Sequence, residues 1–271
     1  MKDFKNKTFL ITGASSGLGK AISLRIAEEG GNLLLGARRR EILDDIKSDI
    51  EKKYNVKVIT SFIDVTDEKS VKNFIGVALE SFDSIDCVIN NAGIGLYSKF
   101  EDVDLSNFEK LFDINVKGVF LVTREVIPYM KTQGRGVIVN ISSLAGYVST
   151  PLMTIYASTK FAVRGLTDGL RRELKNTKIK IIGVYPGPFE SEFFKNAIKK
   201  VKKLNLQEGR KLFSSSDFVA EKIIKGIKKG KKNIFIRLDW KLIAKFHEIL
   251  TPLYDLVLSS NKYYENFDKG V

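Results

Sequence analysis

Residues 8–19 read TFLITGASSGLG, and the fold of the chain can be inferred outward from this stretch. Its first half is an apolar run that predicts a buried strand. The three glycines that follow, Gly13, Gly17 and Gly19, permit a sharp turn. The pattern of an amphipathic helix begins at once, near residue 18. A strand, a glycine-rich turn and a helix in this order predict the first unit of a strand–helix–strand fold.

The same alternation continues along the chain. Runs rich in Val, Ile, Leu and Phe predict seven strands, at residues 8–12, 32–36, 56–63, 87–90, 136–141, 179–185 and 233–236. Amphipathic patterns predict helices near residues 18–29, 39–53, 68–81, 105–133, 155–176 and 216–229. This alternation indicates an α/β fold, a single doubly wound, Rossmann-like parallel sheet with helices on both faces. The ligand site of such a sheet lies beyond the carboxyl ends of its strands.

Composition narrows the class of protein. The chain has 271 residues, of which 44% are apolar, enough for one large domain with a full core. The single Cys87 lies in an apolar run and is interpreted as a buried structural thiol. We identify no signal peptide and no run of 18 or more apolar residues, so a cytoplasmic enzyme is expected. No metal site is expected.

The glycine turn itself suggests a ligand. Glycines let backbone N–H groups approach a pyrophosphate at the N-terminus of the following helix. Their spacing here, three residues and then one residue between glycines, differs from the better-known dinucleotide fingerprint. A plain tight turn is therefore the alternative interpretation.

Several further motifs follow in a fixed order. Asn90-Asn91-Ala92-Gly93 comes after the fourth predicted strand, and Asn115 lies within a predicted helix. Ser143 precedes Tyr156 by thirteen positions, and Lys160 follows that tyrosine by four. Pro186-Gly187 comes after the sixth strand. Together with the glycine turn, this set resembles the short-chain dehydrogenase/reductase family over about residues 5–236.

The resemblance implies a dinucleotide cofactor and a catalytic group. The implied catalytic residues are Asn115, Ser143, Tyr156 and Lys160. The implied cofactor-binding residues are Gly13, Ser15, Ser16, Gly17, Leu18, Gly19, Arg38, Asp64, Val65, Asn91, Ala92, Gly93, Tyr156, Lys160, Pro186, Gly187, Phe189 and Ser191. Ser191 stands where many family members have threonine, and its hydroxyl would meet the nicotinamide amide. Phe189 would pack beside the nicotinamide ring.

The chemistry of these residues fits hydride transfer. Reduction of a carbonyl leaves an alkoxide that needs a proton, and the reverse reaction needs a base. Because Lys160 lies one helical turn from Tyr156, its ammonium, together with the positive nicotinamide ring of the oxidised cofactor, is expected to favour the phenolate and lower the tyrosine pKa from about 10. Ser143 would donate a hydrogen bond to the substrate oxygen. Asn115 would interrupt its helix and hold a water that relays protons toward Lys160. Taken singly, each residue could instead be a surface contact or a cap.

The end of the second strand indicates NADP as the cofactor. An NAD site would place an acidic residue there, whereas the chain reads Leu35-Gly36-Ala37-Arg38-Arg39-Arg40. Arg38 is expected to bind the 2′-phosphate, helped by Ser15, while Arg39 and Arg40 are interpreted as solvated residues at a helix start. Asp64 and Val65 match family positions that flank the adenine, although Asp64 could instead cap a helix.

We expect residues 1–238 to form the catalytic domain, with a substrate flap at about residues 190–213. Residues 239–271 are expected to form an amphipathic helical extension packed on the same domain. The apolar stripe of this extension must be buried against another surface, and contacts with the core or with another subunit are favoured over contacts with a membrane. The loop of residues 144–154 is expected to form a wall of the substrate cleft with Tyr147, Val148, Leu152 and Met153, which suggests an apolar substrate.

Charge adds one more feature. The net charge is +13, and residues 193–232 alone contain thirteen Lys and Arg against three Asp and Glu. This basic segment could be a solvated flap, could receive an apolar substrate with an anionic group, or could contact anionic lipid. Nucleic acid is not expected, because no recognition motif accompanies the charge. The family pairs through the helices at 105–133 and 155–176, so a homodimer or homotetramer is expected.

The leading hypothesis is an NADP-dependent carbonyl reductase or alcohol dehydrogenase acting on a small-molecule ketone, aldehyde or alcohol. Two alternatives remain: a non-enzymatic dinucleotide-binding redox sensor, and a reductase of acyl or sterol-like substrates that works at a lipid surface. The proton-donating set of Ser143, Tyr156 and Lys160 favours the enzyme, because a sensor does not need it.

Overall fold

The computed structural model describes residues 1–190, 193, 197–199, 214–247 and 249–258. Its main sheet contains β1 (Thr8–Thr12), β2 (Asn32–Ala37), β3 (Val58–Phe62), β4 (Cys87–Asn90), β6 (Gly136–Ile141), β7 (Ile179–Tyr185) and β11 (Asn233–Phe235). These seven strands are parallel and lie in the order β3-β2-β1-β4-β6-β7-β11. The strand order reverses between β1 and β4, which opens a crevice at the carboxyl ends of these two strands.

Nine α-helices accompany the sheet in the described part of the chain. They are α1 (Gly17–Glu28), α2 (Arg40–Lys53), α3 (Glu68–Ser81), α4 (Leu105–Phe112), α5 (Gly118–Thr132), α6 (Thr154–Glu173), α7 (Ser216–Lys228), α8 (Leu238–Phe246) and α9 (Thr251–Leu258). A π-helical turn, Asp113–Lys117, joins α4 to α5. Two small sheets pair β5 (Leu96–Tyr97) with β9 (Ile198–Lys199) and β8 (Phe189–Glu190) with β10 (Ser214–Ser215).

The central strands are buried on both faces. Neighbouring residues of β1 contact different cores, because side chains alternate across a strand. Ile11 packs in one core with Ile22 of α1, and Leu10 packs in the other with Phe74 of α3. All five residues of β1 are buried. This double burial explains why the strands read as continuous apolar runs rather than alternating ones.

The predicted fold class is confirmed. Each of the seven predicted strands is present in the parallel sheet, with bounds within two residues of the prediction. The helix predicted over 105–133 is instead divided into α4, the π-helical turn and α5. The four short strands were not predicted, because two-residue strands have no readable periodicity.

The predicted extension begins as α8 and α9. Trp240 and Ala244 of α8 are buried against the main domain, whereas Leu242, Ile249 and Leu256 are exposed. Residues 259–271, most of the predicted flap, and residues 194–196 and 200–213 of the basic segment lie outside the described residues. Within the described residues, no helix is both long and apolar enough to cross a membrane.

Candidate active site

The sequence motifs meet at one edge of the sheet. The glycine turn follows β1, Asn91 follows β4, Ser143 follows β6 and Pro186 follows β7. The carboxyl ends of parallel neighbours lie side by side, so four separated stretches of sequence come together there. Tyr156 and Lys160 reach the same place from the first turns of α6.

The glycine turn has no room for a side chain at Gly13 or Gly19. Gly13 and Gly17 have φ angles of +66° and +53°, in the left-handed region that favours glycine. A Cβ on Gly13 would lie 2.8 Å from Ala92 Cα, and one on Gly19 would lie 2.3 Å from Gly13 O. Ser16 precedes α1 without capping it through its side chain, so the positive end of the helix faces the turn. Ser15 and Leu18 are buried.

Thr12 fastens this turn to the segment after β4. Its hydroxyl oxygen accepts hydrogen bonds from Asn91 N at 3.1 Å and Ala92 N at 3.0 Å. In return, Asn91 Nδ2 donates to Thr12 O at 3.0 Å and Gly13 O at 3.1 Å. From the sequence, Thr12 is assigned only to the end of the first predicted strand. The feature that could have revealed its role is the hydroxyl group at the last position of β1, where the strand meets the turn.

The contacts of the arginines after β2 differ from the prediction, because Arg39 and not Arg38 bonds the glycine turn. Arg39 is exposed, as expected, but its Nη2 also donates to Ser15 Oγ and Ser16 Oγ, at 3.1 Å each. Arg38 is exposed, and its positive charge acts on Asp64. Arg39 is therefore a candidate site residue that the sequence reasoning missed, because the direction of a side chain at the start of a helix is not readable from composition.

Asp64 and Val65 lie beyond β3. The carboxylate of Asp64 accepts from Thr66 N at 2.9 Å and Thr66 Oγ1 at 2.8 Å. Burial alone would raise the pKa of Asp64, but these hydrogen bonds and the charge of Arg38 hold it below its usual value. The alternative of a helix cap is wrong for Asp64, since Asp67 caps α3. Val65 is buried.

Ser143, Tyr156 and Lys160 lie close together and form the candidate proton-transfer group. Tyr156 and Lys160 are buried, with 6% and 5% of their surfaces exposed. Lys160 Nζ donates to Ile141 O at 3.1 Å and lies 5.6 Å from the centre of the Tyr156 ring. Ser143 Oγ hydrogen-bonds the Tyr156 phenol and donates to Pro186 O at 3.4 Å.

Burial dominates the electrostatics of this group. It raises the pKa of Tyr156 to about 12, with the Ser143 hydrogen bond acting in the opposite direction. It also lowers the pKa of Lys160 to about 8. The expected lowering of the phenol pKa involves the oxidised cofactor as well as Lys160, so it stays a prediction; in the protein alone this pKa is raised. The lysine donates to a carbonyl of β6 and not to the phenol, so desolvation outweighs its charge.

Asn115 lies in the π-helical turn and is 1% exposed. Its Oδ1 accepts from Ile94 N at 2.9 Å, and its Nδ2 donates to Ile94 O at 3.0 Å and Thr159 Oγ1 at 3.1 Å. The side chain thus ties the segment after β4 to α6. Gly93 lets these groups approach closely, since a Cβ there would lie 3.2 Å from Asn115 Oδ1 and 3.7 Å from Lys160 Nζ. The water-holding role of Asn115 stays a prediction.

The loop after β7 closes the site on another side. Pro186 and Gly187 are buried, and Phe189 is half-buried at the start of β8. Pro186 O accepts from Leu144 N at 2.7 Å, next to Ser143. The predicted contact of Ser191 lies outside the described residues.

The apolar wall differs from the prediction. Met153 packs in the cluster of Tyr156 with Leu96 and Ile198, and the Phe193 ring lies 5.7 Å from the Tyr156 ring. Tyr147 and Val148 pack instead with Tyr185 and Ala244. Tyr147 and Val148 therefore belong to the core under α8 and do not line the predicted substrate cleft. The short helical turn after Ser143 directs them away from Tyr156. Leu152 is buried with a φ of +65°.

The Thr12 junction yields a testable expectation. Thr12→Val keeps the shape of the side chain but leaves the N–H groups of Asn91 and Ala92 without their acceptor. We expect it to lower the free energy of unfolding by about 2 kcal/mol. Thr12→Ser, which keeps the hydroxyl, is the matched control. Equal unfolding midpoints in urea for the two variants would show that this junction does not hold the turn.

Comparison with known proteins agrees with this architecture. A family model described as short chain dehydrogenase matches residues 7–202. An NADP-dependent 3-hydroxy acid dehydrogenase of Schizosaccharomyces pombe is 38% identical over 195 residues, which is 71% of this chain and 75% of the yeast protein.

Solved structures show the same fold. A short-chain dehydrogenase of Sphingobium yanoikuyae in complex with NADPH has a TM-score of 0.77 at 26% identity, covering 91% of this chain and 95% of that one. One from Burkholderia phymatum in complex with NAD has a TM-score of 0.85 at 24% identity, covering 93% and 96%, and supports the fold alone. With the matched family model and the yeast relative, the motifs and their geometry show that this chain belongs to the short-chain dehydrogenase/reductase family of oxidoreductases.

Proposed function

We propose that the protein is an NADP-dependent oxidoreductase that interconverts a ketone or aldehyde and its alcohol by hydride transfer, with Tyr156 as general acid and base. The observation that carries the proposal is that the segment after β4 lies between the glycine turn and the group of Ser143, Tyr156 and Lys160. Asn91 and Ala92 bond the glycine turn, and a Cβ on the next residue, Gly93, would lie 3.7 Å from Lys160 Nζ. A dinucleotide on the turn would thus lie beside the proton donor.

The residues present fit a dinucleotide. The turn is a backbone-lined cradle in which side chains at Gly13 and Gly19 would collide with the neighbouring main chain. The uncapped start of α1 supplies N–H groups and a positive dipole end for a pyrophosphate. Residues 13–19, Asp64, Val65, residues 91–93, Lys160 and the loop from Pro186 to Ser191 would hold the cofactor. When bound, the cofactor supplies or accepts the hydride.

Arg38 and Arg39 support NADP over NAD. Both stand at the end of β2, where an acidic residue would repel a 2′-phosphate. Arg39 is already aimed at Ser15 and Ser16 of the turn, so a phosphate there would find a guanidinium and hydroxyls together. The names of the yeast and Sphingobium proteins include NADP or NADPH, whereas that of the Burkholderia protein includes NAD.

The proton chemistry follows from burial. A phenol with a pKa of about 12 keeps its proton at neutral pH and is ready to give it to a substrate oxygen that gains negative charge. Ser143 Oγ hydrogen-bonds the phenol and can donate to the same substrate oxygen. Lys160, with a pKa of about 8, is mostly an ammonium at pH 7 and favours the phenolate that proton transfer leaves.

The substrate is proposed to be apolar beside its carbonyl. Leu96, Met153, Phe193 and Ile198 all join the apolar cluster that contains Tyr156. The 3-hydroxy acid named for the yeast relative is one candidate, since such a substrate carries an anionic group. The basic residues proposed to receive this group belong to the predicted flap, and all of them except Lys199 lie outside the described residues.

Assembly into a homodimer or homotetramer is also proposed. The helices α4, α5 and α6 carry exposed apolar side chains, namely Leu105, Phe108, Phe120 and Phe161. We also propose that the protein is cytoplasmic and has a single domain, with residues 239–271 packed on the catalytic domain. The alternatives are the redox sensor and the lipid-surface reductase; turnover that persists without lipid contradicts both.

Substitution of Tyr156 tests the mechanism. We expect Tyr156→Phe to lower kcat for carbonyl reduction by a factor of about 10² to 10⁴, because the proton donor is lost. The Kd for NADPH should stay within about twofold. NADPH oxidation is measured against short 3-keto acids, diketones, steroids and sugars, with Tyr129→Phe on the exposed face of α5 as the control. Wild-type activity in Tyr156→Phe would refute the role of this residue.

Cofactor preference depends on the two arginines. We expect Arg38→Ala and Arg39→Ala each to raise the Kd for NADPH about tenfold or more, since a charge-assisted hydrogen bond is lost. The Kd for NADH should change little. Arg40→Ala, one position further along α2, is the matched control. If NADPH and NADH weaken equally in fluorescence titrations, the arginines do not recognise the 2′-phosphate.

The pKa of Lys160 predicts the pH dependence. Because burial lowers this pKa, the ammonium is lost as the pH rises through about 8 rather than through its usual value of 10.5. The value of kcat/KM for NADPH should therefore fall above about pH 8, while Tyr156 stays protonated. Lys160→Arg keeps its charge and should lack this fall, at a lower overall rate. An unchanged fall in Lys160→Arg would assign it to another group.

A further inference from the structure

We propose that Trp240, on the C-terminal helix α8, is a positioning residue that holds the Pro186–Phe189 loop in its cofactor-binding place. The inference rests on the proposed function, because it concerns the same site. Trp240 lies outside residues 7–202, the part matched by the family model. The C-terminal extension would therefore act on turnover without touching the substrate.

The contact between Trp240 and Gly187 is very close. A Cβ on Gly187 would lie 2.7 Å from both Cε2 and Cζ2 of Trp240, and 2.8 Å from Cδ2. The face of the indole thus lies directly on the glycine. Gly187 is needed here for space, because a methyl group would push either the loop or the indole away. The indole is only 7% exposed, so the contact is a buried one.

Trp240 is itself held firmly. Its main-chain N donates to Asp239 Oδ1 at 3.0 Å. Arg237 binds the same carboxylate through Nε at 3.0 Å and Nη2 at 2.7 Å, and its guanidinium lies 5.3 Å from the indole centre. One turn further along α8, Ala244 packs against Tyr147 and Tyr185. The helix therefore presents the indole from a fixed position.

The loop under the indole connects to the proton donor. Pro186 O accepts hydrogen bonds from Leu144 N at 2.7 Å and Ser143 Oγ at 3.4 Å. Ser143 in turn bonds the phenol of Tyr156. Phe189, proposed to pack beside the nicotinamide, joins the same core cluster as Trp240. A shift of Gly187 would thus move both the cofactor wall and Ser143.

Four variants test the contact: Trp240→Ala, Trp240→Phe, Gly187→Ala and the double variant Gly187→Ala/Trp240→Ala. Leu242→Ala is the matched control, because Leu242 lies on the exposed face of the same helix. Each purified protein is titrated with NADPH and assayed for kcat and KM on one carbonyl substrate. Trp240 is the single tryptophan of the chain, so quenching of its emission by NADPH in the wild type and Gly187→Ala reports on the loop directly.

We expect Trp240→Ala to raise the Kd and KM for NADPH about tenfold, with a smaller loss of kcat. Trp240→Phe, which keeps a ring over Gly187, should stay within about threefold of the wild type, a difference below 1 kcal/mol. Gly187→Ala should weaken NADPH at least as much as Trp240→Ala. The double variant should bind NADPH more tightly than Gly187→Ala alone, because removal of the indole makes room for the methyl group.

The outcomes separate the two proposals. If the wild type binds and uses NADPH but Trp240→Ala behaves like Leu242→Ala, the positioning role is overturned and the proposed function stands. The same holds if the double variant is no better than Gly187→Ala. If the wild type neither binds NADPH nor reduces any carbonyl, the proposed function fails and the positioning role fails with it. Should Trp240→Ala not fold, the emission of Trp240 decides the question: no change in this emission when NADPH binds to the wild type would overturn the positioning role.

Discussion

The close approach of the glycine turn to the segment after β4 is the constraint on which the rest of the site depends. Gly13 and Gly19 leave no space for side chains, and the Thr12 hydroxyl accepts two main-chain hydrogen bonds across the gap. Because β1 and β4 are neighbours where the strand order reverses, this junction lies at the mouth of the crevice. The same segment includes Gly93, where a Cβ would lie 3.7 Å from Lys160 Nζ, so this junction also places the glycine turn relative to Lys160.

Burial sets the character of the proton-transfer group. Desolvation moves the pKa of Tyr156 up and that of Lys160 down, so each group is biased toward its neutral form. At neutral pH the phenol keeps its proton, while the lysine remains charged by a narrow margin. Asn115 supports the arrangement from behind, with its amide bonded to Ile94 and Thr159.

Much of the fold could be predicted because its strands are buried on both faces and read as continuous apolar runs. The glycine turn, Asn91, Ser143 and Pro186 could be placed at one edge of the sheet because each follows a strand. The direction of side chains could not be predicted. Arg39 reaches the glycine turn although it begins a helix like any solvated arginine, and Tyr147 packs under α8 although its loop borders the site. Both depend on contacts between residues far apart in sequence.

The sequence by itself determined the alternation of strands and helices, the glycine turn and the spacing of Ser143, Tyr156 and Lys160, because these are local patterns with local causes. Only the tertiary structure decided the pKa directions and the use of the C-terminal helix. Desolvation depends on everything packed around a group, and the seat of Trp240 on Gly187 joins residues more than fifty positions apart. Neither has a signature within any single stretch of the chain.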